Sequence, residues 1–218
     1  MNGFIKYPRT PHLPWSPGAT SDDAYLADCG CFAGREVVVT EKMDGENTTL
    51  YRGGLHARSP DSRHHPSRDW VKALHGSICA EIPEGWRLCG ENVYARHSVA
   101  YAALDSYFYL FSVWDGSNQA LGWDETAEWA SLLGLSLAPV LWRGAWDEAA
   151  LRSLAEEIDT GVQEGYVVRV ADGFGYDDFS RSLAKWVRPH HVQTDQHWMH
   201  APVVPNELKP PSEDESES

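Results

Sequence analysis

The strongest constraint on this chain is a pair of β-branched runs, EVVVTEK at 36–42 and NTTLYR at 47–52, separated only by Met43-Asp44-Gly45-Glu46. Valine and threonine lose rotamer freedom in a helix and fit a pleated surface, and Asp-Gly supplies turn chemistry, so two strands joined by a tight link are predicted. Lys42 then stands at a strand end, held at a defined point over a sheet. Gly45 keeps bulk away and allows a phosphorylated ligand to approach the backbone. An amine so placed can attack phosphorus, provided neighbouring cations keep it partly deprotonated. The same residues also read as an ordinary hairpin with a solvated lysine, so the string alone does not decide.

Further strands are predicted at 86–93, 107–114, 163–170 and 182–187, each rich in aromatic or β-branched residues. Helices fall between them. One starts at Pro66 or Ser67 and runs to about His75. A second is capped by Asp124 and ends at Gly134, and a third is capped by Asp147 and runs through Ile158. Strands with inserted helices but no regular βαβ alternation indicate an α+β fold with a largely antiparallel sheet. The opening to about Gly34 reads as loop, with prolines at 8, 11, 14 and 17, pinned to the domain by its aromatic residues. Beyond Pro202 proline, serine and acid dominate without apolar periodicity. A single domain over 1–201 followed by an acidic disordered tail over 202–218 is expected.

Charge narrows the function classes. The formal net charge is −14, and the chain stays strongly acidic without Glu207–Ser218, which argues against a binder that grips duplex by neutralising many phosphates. A local basic site on an acidic body stays open. No apolar run approaches the roughly 18 residues of a spanning helix, and the opening MNGFIKYPRTPHLP is too polar for a secretory core, so the cytoplasm is the expected compartment and no membrane partner is expected. Cys29, Cys31, Cys79 and Cys89 fit free thiols better than disulfides or a zinc knuckle. His190, His191, His197 and His200 cluster without ligand spacing and read as surface. Neither a Walker loop nor a dinucleotide fingerprint is present.

The remaining motifs occur in an order that resembles the covalent nucleotidyltransferase superfamily of ATP-dependent ligases and capping enzymes, and within it the RNA ligase 2-like branch, from about Lys6 to Pro189. EKMDGEN resembles motif I, with Lys42 at the adenylated lysine and Asn47 at the asparagine this branch carries five residues later. HARSP, with Arg58, is similar to motif Ia. GENVYARHSVAY, centred on Glu91, is similar to motif III, and YLFSVWD, with Phe111, to motif IIIa. EGYVVRV, with Glu164, resembles motif IV, and SLAKWVRP, with Lys185, motif V. Val187 stands where motif V usually offers a second lysine, followed only by Arg188. The stretch beyond motif V is too short for the extra C-terminal domain of many ligases.

The resemblance implies an ATP-grasp-like ligase catalytic core, α+β, with two antiparallel β-sheets flanked by helices and the nucleotide in the groove between them. It implies an ATP-dependent RNA ligase joining RNA 3′-OH and 5′-phosphate ends through lysyl-AMP and an adenylylated RNA 5′ end, with Mg2+ or Mn2+. An end-healing kinase or phosphatase is a partner consistent with that role. Lys42 would be the nucleophile. Glu41, Asn47, Arg58, Glu91, Phe111, Glu164, Lys185 and Arg188 would bind the nucleotide: Phe111 stacks on adenine, Glu91 accepts from ribose, and Arg58, Lys185 and Arg188 hold phosphates. Glu164 would also position the metal, and Asp44 and Gly45 would support the motif I turn. A DNA ligase core, a GTP-using capping enzyme and a non-catalytic nucleotide or RNA-end binding module stay open as alternatives.

Overall fold

The computed structural model describes residues 5–20, 22–58, 65–189 and 203–210. The valine run forms β1 (Glu36–Glu41). Val37, Val38 and Val39 are all fully buried, so both faces of this strand are covered. β1 lies inside a four-stranded antiparallel sheet, between β8 (Val140–Ala145) and β9 (Gly165–Val170), with β11 (Leu183–Val187) beyond β9.

The second run, β2 (Glu46–Tyr51), belongs to a different sheet. It pairs with β3 (Gly54–Ala57) on one side and β4 (Arg87–Asn92) on the other, and β5 (Phe108–Trp114) lies beyond β4. Short strands β6 (Gln119–Ala120) and β10 (Phe174–Gly175) extend that edge, and β7 (Ser136–Leu137) runs parallel to β5. The hairpin reading of 36–52 therefore fails: β1 and β2 do not pair, and Lys42–Gly45 carries the chain from one sheet to the other.

Helices cover the sheets. Val71 and Ile78 of α1 (Asp69–Ile78) and Ala130 of α2 (Trp123–Leu132) share a core with Leu50, Leu88, Phe108, Leu110 and Val113. Leu151 of α3 (Glu148–Glu157) packs with Tyr166, Val168 and Val170 of β9. Asp147 caps α3 as predicted, accepting from the Ala150 N–H at 3.1 Å. The cap of α2 is Gly122 rather than Asp124, because the Glu125 carboxylate reaches back to the Gly122 N–H at 2.9 Å. α1 is preceded by a 3-10 turn at Pro66–Arg68 and outlasts the predicted His75.

The N-terminal segment acts as an irregular edge for β11. Lys185 donates its N–H to Pro11 O, while Leu13 and Gly18 donate theirs to the carbonyls of Lys185 and Val187. Residues 203–210 correct the expectation of a tail disordered from 202. Asn206 is buried, and backbone bonds tie Val204, Asn206, Glu207 and Lys209 to the 94–104 region. A strap held by one polar side chain and its backbone leaves no apolar period to read; 211–218 lie outside the described residues. So do the predicted surface histidines 190, 191, 197 and 200. The four cysteines are free, and no helix among the described residues is long and apolar enough to cross a membrane.

Close packing of β4 on β5 makes a stability prediction. A Cβ at Gly90 would lie 2.3 Å from Phe108 Cζ and 2.6 Å from Tyr109 O, at the point where the β4–β5 register shifts. Gly90→Ala should destabilise the protein by about 2–3 kcal/mol, since overpacking forces backbone shifts; equilibrium urea denaturation measures it, and a loss under about 0.5 kcal/mol would contradict the packing.

Candidate active site

A cavity of about 680 Å³ opens between the two sheets at the Lys42–Gly45 link. Strand register explains who lines it. In the first sheet Thr40, Val167 and Lys185 are successive cross-strand partners, with Arg169 and Leu183 paired one row deeper. All five line the cavity. In the second sheet Asn47 stands opposite Glu91, and both line the facing wall with Phe111. The period-two alternation of each strand thus turns one face of each sheet towards the other.

Lys42 is delivered to this space by two backbone anchors: Glu41 donates its N–H to Pro139 O, and Lys42 donates its own to Gly165 O. Its Nζ is hydrogen-bonded to Glu164 Oε2, with the lysine side chain 23% exposed and the glutamate 6%. Burial alone would lower the Lys42 pKa, but Glu164, Glu91 and Asp44 outweigh it and hold the amine above the ordinary lysine value. The free protein therefore keeps Lys42 as an ammonium. Glu91 moves the other way. Burial, reinforced by Glu164 and Asp44 and opposed by Lys42, pushes it to about 8, so it is largely protonated at neutral pH. Burial also raises Glu41, whose carboxylate accepts from Gln163 Nε2 at 3.2 Å.

Cations occupy the rim. Burial and then the Lys42 charge depress the Lys185 pKa. Arg58, exposed just after β3, lines the cavity and donates its backbone N–H to Asn47 O at 3.0 Å. Asn47 itself presents a buried Oδ1 with no protein partner, an acceptor that a ligand can satisfy. Phe111 meets Tyr7 edge to face at 5.3 Å, and Val167 lines the cavity from the other sheet. Together they give the apolar flanks of a slot for a planar ring.

Seven residues expected from sequence, Glu41, Lys42, Asn47, Arg58, Glu91, Phe111 and Lys185, line this one cavity, and so does Gly45. A Cβ on Gly45 would meet Asn92 O at 2.4 Å, so its need for glycine comes from packing against β4 as well as from ligand approach. Three residues are placed differently. Glu164 lies behind the wall and reaches the cavity through Lys42. Arg188 is turned away from the cavity: its Nη2 donates to Ser98 Oγ at 3.2 Å and its backbone N–H to Glu164 O. Asp44 points to the far side of the link, where its Oδ2 accepts from Ser98 N–H, Ser98 Oγ and Val99 N–H at 2.7–2.8 Å.

Other lining residues were not predicted: Tyr7, Glu46, Arg68, His97, Val167 and Arg169 among them. Val167 and Arg169 sit two apart on one face of β9, so the period-two rule applied to EGYVVRV could have found them. Arg68, whose Nε donates to both Glu46 oxygens at 2.6 Å, comes from a 3-10 turn distant in sequence, and nothing local announces it. Among the described residues no group of three or more His, Cys, Asp or Glu is arranged to hold a metal ion. The oxygen donors beside Lys42 nevertheless suit Mg2+ or Mn2+, which commonly bind through one or two carboxylates together with substrate phosphates and water.

Comparisons with known proteins agree with this geometry. A model of the RNA ligase family matches residues 35–187, the whole stretch that builds both sheets. The chain belongs to the RNA ligase family. An archaeal ATP-dependent RNA ligase superposes with a TM-score of 0.58 at 16% identity, over 86% of this chain and 49% of that one. A variant of the Naegleria gruberi RNA ligase solved with ATP and Mn gives 0.51 at 18% identity, over 73% and 51%; another, also with ATP and Mn, gives 0.52 at 15%, over 84% and 60%. These likenesses establish the nucleotidyltransferase fold, and this family member spans about half the length of the first two ligases. No curated protein matches the sequence.

The Lys42–Glu164 pair yields a direct test. Burial is the largest single influence on the amine, and without the Glu164 carboxylate only Glu91 and Asp44 oppose it, so Glu164→Gln should lower the Lys42 pKa. A 13C-Lys NMR titration reads the shift, and an unchanged or raised value would show that Glu164 does not hold the charge.

Proposed function

We propose that this chain is an ATP-dependent RNA ligase, of the RNA ligase 2-like branch, whose adenylyltransferase domain, expected over 1–201, also includes the strap at 203–210. The observation that carries the reading is the placement of a single ε-amine, Lys42, at the junction of two sheets, in a cavity holding an aromatic slot, an unpartnered amide oxygen and a cationic rim.

In the first step Lys42 Nζ attacks the α-phosphorus of ATP, forming a P–N bond as the P–O bond to pyrophosphate breaks. The proton the amine must lose is released to solvent as the nucleotide and its cation draw Glu164 away from Lys42, its hydrogen-bond partner at rest. Phe111, Tyr7 and Val167 flank the adenine, Glu91 and Asn47 bind its polar edge and ribose, and Arg58 and Lys185 neutralise phosphate charge. AMP then passes to an RNA 5′-phosphate, and a 3′-hydroxyl displaces it to seal the ends. A divalent cation, Mg2+ or Mn2+, held by Glu164 with the phosphates, would supply further neutralisation of the developing charge. Arg188 supports the site through Ser98 rather than by touching phosphate. RNA ends bearing 5′-phosphate and 3′-OH are the substrates, an end-healing kinase or phosphatase the natural supplier, and the cytoplasm the compartment.

Intact-mass measurement after incubation with ATP or GTP and Mg2+ or Mn2+ tests this. An AMP-sized adduct should form, no GMP-sized adduct should appear, and Lys42→Ala should abolish labelling. A guanylylated product would turn the reading towards a capping enzyme, and binding without any adduct towards a non-catalytic module. Sealing of nicked or 5′-adenylylated RNA in multiple turnovers tests the later steps.

The protonation state adds a pH signature. Since the amine rests as an ammonium with a raised pKa, its reactive fraction grows about tenfold per pH unit below that pKa. The single-turnover rate of adduct formation should therefore climb with pH from neutrality. A rate flat between pH 7 and 9 would mean that deprotonation of Lys42 does not limit the step.

A further inference from the structure

The strap at 203–210, which no motif covers, reaches the candidate nucleophile through a chain of contacts. Its centre is Asn206, 3% exposed. The Asn206 Nδ2 donates to Val93 O at 2.8 Å, its Oδ1 accepts from the Tyr101 N–H at 2.9 Å, and its backbone donates to Tyr94 O and accepts from the Tyr107 hydroxyl. One side chain thus clasps both ends of the 93–101 segment. Flanking bonds from Arg96 N–H to Val204 O and from Glu207 N–H to Tyr101 O close the same loop from outside.

That loop in turn holds the link carrying Lys42. Ser98 and Val99 give Asp44 its three hydrogen bonds, and the Tyr101 hydroxyl accepts from the Asp44 N–H at 2.9 Å. Met43, between Lys42 and Asp44, is buried with Val93, Leu104 and Tyr109, and Tyr101 and Tyr107 pack against that cluster. His97 of the same loop lines the cavity.

We propose that Asn206 is a positioning residue for nucleotidyl transfer: by latching the 93–101 loop it fixes the Met43–Asp44 backbone and hence the direction in which Lys42 Nζ enters the cavity. Asn206 touches no ligand and acts only through the loop. The proposal rests on the reading of Lys42 as nucleophile, and it makes the strap part of the active domain.

Asn206→Ala and the milder Asn206→Asp, which keeps the acceptor for Tyr101 but replaces the donor to Val93 O, are compared in the full chain with Lys209→Ala, which removes only an exposed pair to Asp105. Two readouts are taken at a temperature where all variants are folded: amide hydrogen exchange, and the rate constant and burst amplitude of AMP adduct formation at saturating ATP. A latch predicts faster exchange at Ser98 and Val99 with β5 amides unchanged. It also predicts a fall in the rate constant of about tenfold or more in Asn206→Ala at undiminished amplitude, because misdirected reacting groups lose rate steeply. Asn206→Asp should fall between, and Lys209→Ala should match the parent.

A merely structural residue would instead lower the amplitude and leave the rate constant alone; that result overturns the proposal, as does parental exchange at Ser98 and Val99. If Asn206→Ala does not fold, Asn206→Asp decides by the same two readouts. If the parent chain forms no adduct, it is the functional reading that fails, and parental exchange in the variants would still refute the latch.

Discussion

Everything in this molecule turns on a four-residue crossing between two sheets. The Lys42–Gly45 link leaves β1 of the first sheet and enters β2 of the second, so it lies where their inner faces diverge and a cavity must open. A hairpin at this point would have closed the space and turned the lysine to solvent. The link is gripped on every side: Lys42 by Gly165 O, Met43 by an apolar cluster, Asp44 by the 98–101 loop, and Gly45 by its tight approach to Asn92. So many constraints on so few residues hold an amine at one point in space, which is the structural requirement for in-line attack on a phosphate.

The electrostatics of that point suit an anionic ligand that arrives with its own cation. Burial first, and then the neighbouring Glu164 and Asp44, drives Glu91 to about 8, while Lys42 stays charged beside Glu164. A nucleotide triphosphate entering beside Arg58 and Lys185 brings negative charge to the cationic rim. Any cation it carries competes with Lys42 for Glu164. The resting ion pair therefore does two things: it offsets the desolvation of Glu164 before substrate arrives, and it keeps the amine unreactive until then.

The fold class and most long strands were legible because burial imposes a pattern on them. Valines at 37–39, aromatics along 108–114 and the apolar run along 165–170 each state that their faces are covered. β8 was not legible: none of its residues is buried and Gly144 interrupts them, yet hydrogen bonds to β1 make it a strand. Which sheet a strand joins was equally invisible, since two adjacent β-branched runs with an Asp-Gly link satisfy a hairpin and a crossover alike. For the site, motifs in order located seven lining residues. The side chains of Asp44, Glu164 and Arg188 lie beside the link instead, because residue type does not say to which side of a bend a side chain turns. Arg68, His97 and Tyr7 come to the cavity from a 3-10 turn and irregular segments, where no period exists to place them. The strap at 203–210 escaped for the same reason.

The charge distribution decides what kind of polyanion this architecture can accept. A net charge of −14 repels a nucleic acid only weakly at distances beyond the Debye length of about 8–10 Å, but a body this acidic supplies little of the phosphate neutralisation on which duplex binding rests. At the cavity, Arg58, Lys185 and Lys42 converge against low-dielectric walls that strengthen their field. A terminal phosphate monoester concentrates its charge at one position and matches such a focus; the uniform backbone of an uninterrupted helix does not. On the ligase reading proposed above, weak grip on the body and strong grip on the end would favour release after sealing, because joining converts the terminal monoester into an internal diester with less charge for the rim to hold.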